Sequence, residues 1–138
     1  MIPINPDSLT PPTGYSHGIK CQGHLLFVAG QVGYARDGKV VSDDLVEQFA
    51  QALDNVLVVV KAAGGRADSI GRLTLYVTSK AEYVRCRKPI GDAYRQRMGK
   101  HFPAMTLVQV VALVEDRAKV EIEATAVVPA TGAVIESR

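Results

Sequence analysis

Cysteine is almost missing from this 138-residue chain: Cys21 and Cys86 are the only two, and they form no CxxC pair. Neither sits in a nucleophile motif, so ordinary packing is the expected role of both. Long hydrophobic runs are missing as well. The longest, such as "NVLVVVKAAG", is broken by Lys61, well short of the roughly 18 residues that a membrane span needs. No basic-then-apolar leader precedes "MIPINPDSLTPP", and the expected setting is the reducing cytoplasm. Blocks of one charge sign are absent: the net charge is +2 with 22% charged residues, and both signs are interspersed. That pattern gives no support to a polyanion-binding face, and no nucleic-acid partner is expected. "GGRADSIG" has neither P-loop spacing nor a following Lys-Ser/Thr, so a phosphate cradle is excluded too. His24 and His101 have no partners at ligand spacing, and no metal site is expected.

What the chain does have is a 47% hydrophobic composition, enough for one well-filled core but not for two. A single domain over 1–138 is expected, with an extended lead-in at 1–16 and a flexible tail at 129–138. The lead-in, "PINPDSLTPPTGYSHG", is rich in proline, glycine and hydroxyl residues, which disfavour helix.

The apolar run "HLLFVAGQV" (His24 to Val32) predicts a buried strand, and "ARDGKVV" a turn at Asp37-Gly38 followed by a short extended piece. From Ser42 onward, Leu45, Val46, Phe49, Leu53, Val56, Leu57 and Val60 recur three and four apart. That spacing is one face of a helix, with Ser42 as N-cap and Gly64-Gly65 as its stop. "SIGRLTLYVTS" alternates imperfectly and predicts a strand. Residues 80–99 predict a second helical region that Pro89 breaks or restarts. Two strands follow, "AMTLVQVVALV" and "AKVEIEATAVV", separated by Glu115-Asp116-Arg117. This order predicts an α+β sandwich, a mixed sheet with both helices on one face.

The open sheet face raises a question. Val120, Ile122, Ala124 and Ala126 share one side of the last strand, whereas Glu121, Glu123 and Thr125 share the other. In "AMTLVQVV", Met105, Leu107, Gln109 and Val111 share a side, and both sides are apolar enough to want cover. Two helices on one face cannot supply it, so self-association through the open face is expected.

Five segments in order, "GYSHG", "FVAGQV", "QALDNVLVVVKAAGG", "FPAMTLVQVVAL" and "KVEIEATAVV", together make the chain resemble the RidA/YjgF family from about Pro11 to Val128. The resemblance implies a YjgF-like, chorismate-mutase-like fold and a homotrimer whose sheets form a central barrel. It also implies small-molecule pockets at the subunit interfaces and hydrolysis of enamine or imine intermediates to ammonia and a keto acid, without metal or cofactor. Carried over position by position, the family's water-positioning glutamate matches Glu121 and its pocket tyrosine Tyr15, while backbone groups at Gly30 and Gln31 line the site. Its carboxylate-holding arginine falls on Met105, the serine before the Gly-Gln pair on Ala29, and the cysteine two residues past the arginine on Leu107. Lys88 falls near a frequent asparagine. The pocket implied is less charged and greasier than the family's. A hydrogen bond to a charged group contributes about 1.5–3 kcal/mol, so losing the clamp weakens a carboxylate ligand roughly 10-fold to over 100-fold.

Each of these residues has a second reading. Glu121 either activates water and relays a proton or pairs with a cation of the next subunit. Glu123, roughly 6–7 Å further along the strand, reads as structural rather than as half of a dyad. His17, beside Tyr15, either replaces the missing positive charge or is solvated. Arg85, Arg87 and Lys88 form a basic cluster read as solvated surface. Two functions remain open: a RidA-like deaminase with altered substrate, and a non-catalytic small-ligand-binding or regulatory trimer.

Overall fold

The computed structural model describes residues 1–130; from residue 131 on, the expected tail lies outside the described residues. Alternation decides the central sheet. In β6 (Val120–Val128) buried and half-buried residues alternate without a break, and in β4 (Ile70–Val77) Leu73, Leu75 and Val77 are buried at every second position. The imperfect start of the β4 pattern has a structural cause: the register with β6 shifts between Ile70 and Arg72. That irregularity returns both Ile70 and Leu73 to the core side.

The sheet runs β3-β6-β4-β5, with β3 at His24–Val32 and β5 at Ala104–Gln109. β4 and β5 pair in parallel, while β6 is antiparallel to both of its neighbours. The sheet is therefore mixed, as expected, but the last two strands are not neighbours. β5 is also shorter than "AMTLVQVVALV" predicts. Val110 N–H donates to the carbonyl of Val77, 2.8 Å away, where β4 ends. Beyond that point the chain has no partner strand, and Val111 and Val114 are fully exposed. β3 is buried on one side only: Val28 and Val32 face the core, whereas Leu25 and Phe27 are 65% and 76% exposed.

The first helix, α1 (Leu45–Ala62), has the predicted face, with Phe49, Leu53, Val56 and Val60 buried against the sheet. Its N-cap is Asp44 rather than Ser42. The Asp44 carboxylate accepts from Glu47 N–H at 2.9 Å, and the Ser42 hydroxyl accepts from Asp44 N–H one step earlier. The second helical region divides at Cys86 into α2 (Lys80–Arg85) and α3 (Arg87–Met98). Pro89 falls in the first turn of α3, where its missing N–H breaks no intrahelical bond. α1 and α3 cover one sheet face, the two-layer arrangement predicted. Within the lead-in, Ile2–Ile4 forms a short strand, β1, paired antiparallel with β2 (Gly18–Lys20).

One buried polar clamp ties the layers together. The fully buried Gln48 amide donates to the carbonyls of Ser42 (2.8 Å) and Arg117 (3.1 Å), and its oxygen accepts from Lys119 N–H (2.8 Å). Its donors and acceptor are satisfied, as burial requires. The clamp joins α1 to the chain entering β6 and so sets the position of Glu121.

Candidate functional site

Register divides the residues singled out in the sequence between two faces of the sheet. Met105 and Leu107 pair with Leu73 and Leu75 in the β4–β5 ladder and pack against the core on the helix side. Glu121 pairs with Tyr76, one position out of phase with the buried Ile122, and so projects from the opposite face. A ligand cannot touch both groups within one chain.

On the open face, Glu121 lies against the backbone of β3. The β3–β6 register shifts between Val28 and Gln31, and a Cβ on Gly30 would overlap the Glu121 carboxylate. Glycine at this bulge is therefore the condition for the carboxylate to approach the chain so closely. The Gln31 amide folds back to donate to the Ala29 carbonyl at 3.1 Å.

Two neighbouring carboxylates on the chain are occupied. The Tyr76 hydroxyl donates to Glu123 at 2.7 Å, and the Tyr34 hydroxyl donates to Glu115 at 2.9 Å. These hydrogen bonds are the leading reason that both phenols are held above their ordinary pKa range; desolvation and the nearby carboxylates, Glu121 among them, act in the same direction. Glu121 itself is half-buried, and among the described residues no donor or cation is paired with it.

On the helix side, a cavity of about 610 Å³ opens beneath the β5 edge, within the size range of small-molecule sites. Met105, Leu107 and Leu75 form its floor, with Ile90, Tyr94 and Phe102 along one wall. The Tyr94 and Phe102 rings stack at 5.8 Å. The Tyr94 hydroxyl is already committed to the His101 carbonyl at 2.7 Å, and burial pushes its pKa up.

Tyr15 closes the mouth of this cavity because the lead-in is tied to the edge of β5. Ser16 bridges to Ala104; its N–H donates to the Pro103 carbonyl at 3.0 Å and its buried hydroxyl to the Phe102 carbonyl at 2.6 Å. Ser16→Ala is expected to cost about 1 kcal/mol, the net value of such a bond, and to speed proteolytic cleavage within the lead-in. An unchanged cleavage rate would show that the hydroxyl does not hold this strap.

Two readings of the sequence change here. His17 does not line the cavity: its Nε2 lies 2.7 Å from the Thr10 carbonyl and its N–H donates to Asn5 at 2.7 Å, so it folds the lead-in on itself. The Tyr15 ring meets it edge-on at 5.4 Å. Lys88 is exposed and does not line the cavity either, but Arg87, Gly91 and Arg95 do. The basic cluster read as solvated surface therefore contributes one member, Arg87, to the cavity rim. The signal for this stripe was the i, i+4, i+8 spacing of Arg87, Gly91 and Arg95 on a single helix. Among the described residues, no group of His, Cys, Asp and Glu has the arrangement of a metal site, and no helix is long and apolar enough to cross a membrane.

A mixed four-stranded sheet, two main helices on one face and a lone carboxylate beside a glycine bulge define a class of fold. Comparison with known proteins identifies it. Residues 6–128 match the family model described as endoribonuclease L-PSP. A RutC family protein of Pyrococcus horikoshii is 31% identical over 81% of this chain and 85% of its own. The 2-iminobutanoate/2-iminopropanoate deaminase of Escherichia coli is 31% identical over 76% and 80%. The Rid-family protein YyfB of Yersinia pestis, of unknown function, superposes with a TM-score of 0.80 at 32% identity, covering 92% of this chain and 98% of that one. The chain belongs to the RidA/YjgF family.

Proposed function

We propose that this protein is a RidA-like hydrolytic deaminase acting on a 2-imino acid, or its enamine, with a larger side chain than the small members of that class. The site would be shared between copies of a homotrimer: Tyr15, Met105 and Leu107 from one chain, Gly30, Gln31 and Glu121 from the next. The observation that carries this reading is Glu121, which has no partner among the described residues while Glu115 and Glu123 are each held by a tyrosine. A relative named as an iminobutanoate/iminopropanoate deaminase supports the reaction class.

In this reaction Glu121 takes a proton from water as its oxygen adds to the imine carbon, and the carbinolamine forms. The carboxylic acid returns that proton to the imine nitrogen to complete the carbinolamine, and the carboxylate then carries the hydroxyl proton to the same nitrogen as the C–N bond breaks and the carbonyl forms. The imine and one water leave as a 2-oxo acid and ammonia, with Glu121 regenerated. Met105 and Leu107 replace polar surface with apolar surface and favour a bulky side chain.

The test generates imino acids in place with an amino-acid oxidase and catalase, and follows the accelerated loss of imine. Faster turnover from leucine or phenylalanine than from alanine is expected. In Met105→Arg, the preference should move toward the alanine-derived imine by about 10-fold or more, the value of a restored charged hydrogen bond. A second reading, a ligand-binding trimer without turnover, is favoured by the replacement of the clamp by Met105. No acceleration with any imine would select it.

A further inference from the structure

The cavity beneath β5 has an apolar body and a rim with two arginines, of which, among the described residues, one is free of an ion pair. Arg95 is paired with Asp92 at 2.6 Å. Arg87 lines the cavity, is exposed, and carries no ion pair among the described residues.

Between the two rim arginines, α3 carries Gly91, which is a poor choice on helix propensity alone. Its consequence is spatial: a Cβ there would come within 3.3 Å of Arg95 Nη1. The glycine leaves a groove along α3 that runs from Arg87 past Gly91 toward the stacked Tyr94 and Phe102.

We propose that Arg87 is the carboxylate anchor of this protein, and that its ligand is an organic acid with an aromatic or branched apolar body lying on Tyr94, Phe102, Met105 and Leu107. The anionic handle has moved from the β5 position now held by Met105 to the start of α3. This inference rests on the deaminase reading only in making the acid a 2-imino or 2-oxo acid; the anchor itself stands on the cavity. A guanidinium suits the role because its fork matches a carboxylate in two-pronged geometry. The aromatic wall, with Tyr94 Oη already committed, offers the ligand body stacking and no competing donor.

The experiment measures binding by calorimetry of two stable probes, 3-phenylpropanoate and the uncharged 3-phenylpropanol, to the parent, Arg87→Ala and Arg87→Lys. The acid is expected to bind the parent more tightly than the alcohol. Arg87→Ala should weaken the acid by about 10-fold or more and leave the alcohol unchanged, with Arg87→Lys in between. The thermal unfolding midpoint of each variant should match the parent, since Arg87 is exposed and unpaired. Equal binding of acid and alcohol, or an acid affinity indifferent to Arg87→Ala, overturns the anchor. Imine turnover measured in the same samples separates the two proposals. Arg87-dependent binding without turnover upholds the anchor and removes the deaminase; turnover without Arg87-dependent binding does the reverse.

Discussion

Glu121→Gln is expected to slow imine hydrolysis by about 10²- to 10⁴-fold, the usual contribution of a positioned acid–base group. The substitution keeps the shape of the side chain against Gly30, so folding and assembly should be untouched. It removes only the capacity to accept a proton from water. Glu123→Gln is the matched control. Glu123 is on the same face of the same strand, but its carboxylate already accepts from Tyr76 at 2.7 Å. Its loss should cost about 1 kcal/mol of stability and change turnover little. Steady-state rates on the best imine, with unfolding curves for both variants, make the comparison. If Glu121→Gln keeps parental turnover while Glu123→Gln loses it, the catalytic carboxylate has been assigned to the wrong residue. If both keep it, the proton passes through another group.

The split of these roles between faces was legible in the sequence because a strand's side-chain period is two. Glu121 and Glu123 had to oppose Ile122 and Ala124, and they do. The α1 face was legible for the same kind of reason, a 3.6-residue period sustained over several turns. Where β5 ends was not. Val110 to Val114 continue an apolar, strand-like composition, and only the end of the partner strand at Val77 stops the ladder. That is a long-range fact with no local signal. Nor could the sequence say that β6 lies between β3 and β4, since strands adjacent along the chain pair only as a tendency.

Of the candidate site, the sequence marked some positions and not others. Family motifs marked Glu121, Gly30, Tyr15 and Met105, each on a strand or anchored to one. Among the consecutive basic residues Arg87 and Lys88, which of the two faces the cavity depends on where the helix breaks. The break at Cys86 could not be told from one at Pro89. Nor could the sequence show that His17, beside Tyr15, joins the lead-in to itself through Thr10 and Asn5.

Phe27→Asp is expected to convert the proposed homotrimer to single chains and, with that, to lose the proposed imine turnover by 100-fold or more, on the order of the acid–base contribution itself. Phe27 stands 76% exposed on the open face beside Leu25 at 65%, an apolar patch that an isolated chain would leave in water. Covering a phenylalanine is worth about 1.5–3 kcal/mol, and a symmetric trimer repeats that gain at every interface. The aspartate reverses the sign. It would have to shed its hydration near Glu123, which shares a small surface cleft with Phe27. The core should survive, because Phe27 points away from it and its neighbour Val28 makes the buried contacts. Light scattering at micromolar concentration, with far-UV circular dichroism as the check on folding, reads the outcome. A folded single chain without turnover is the result expected if Met105 and Glu121, on opposite faces of one sheet, must meet across two subunits. A folded single chain that still turns over would place the whole reaction on one face of one chain and remove the shared site.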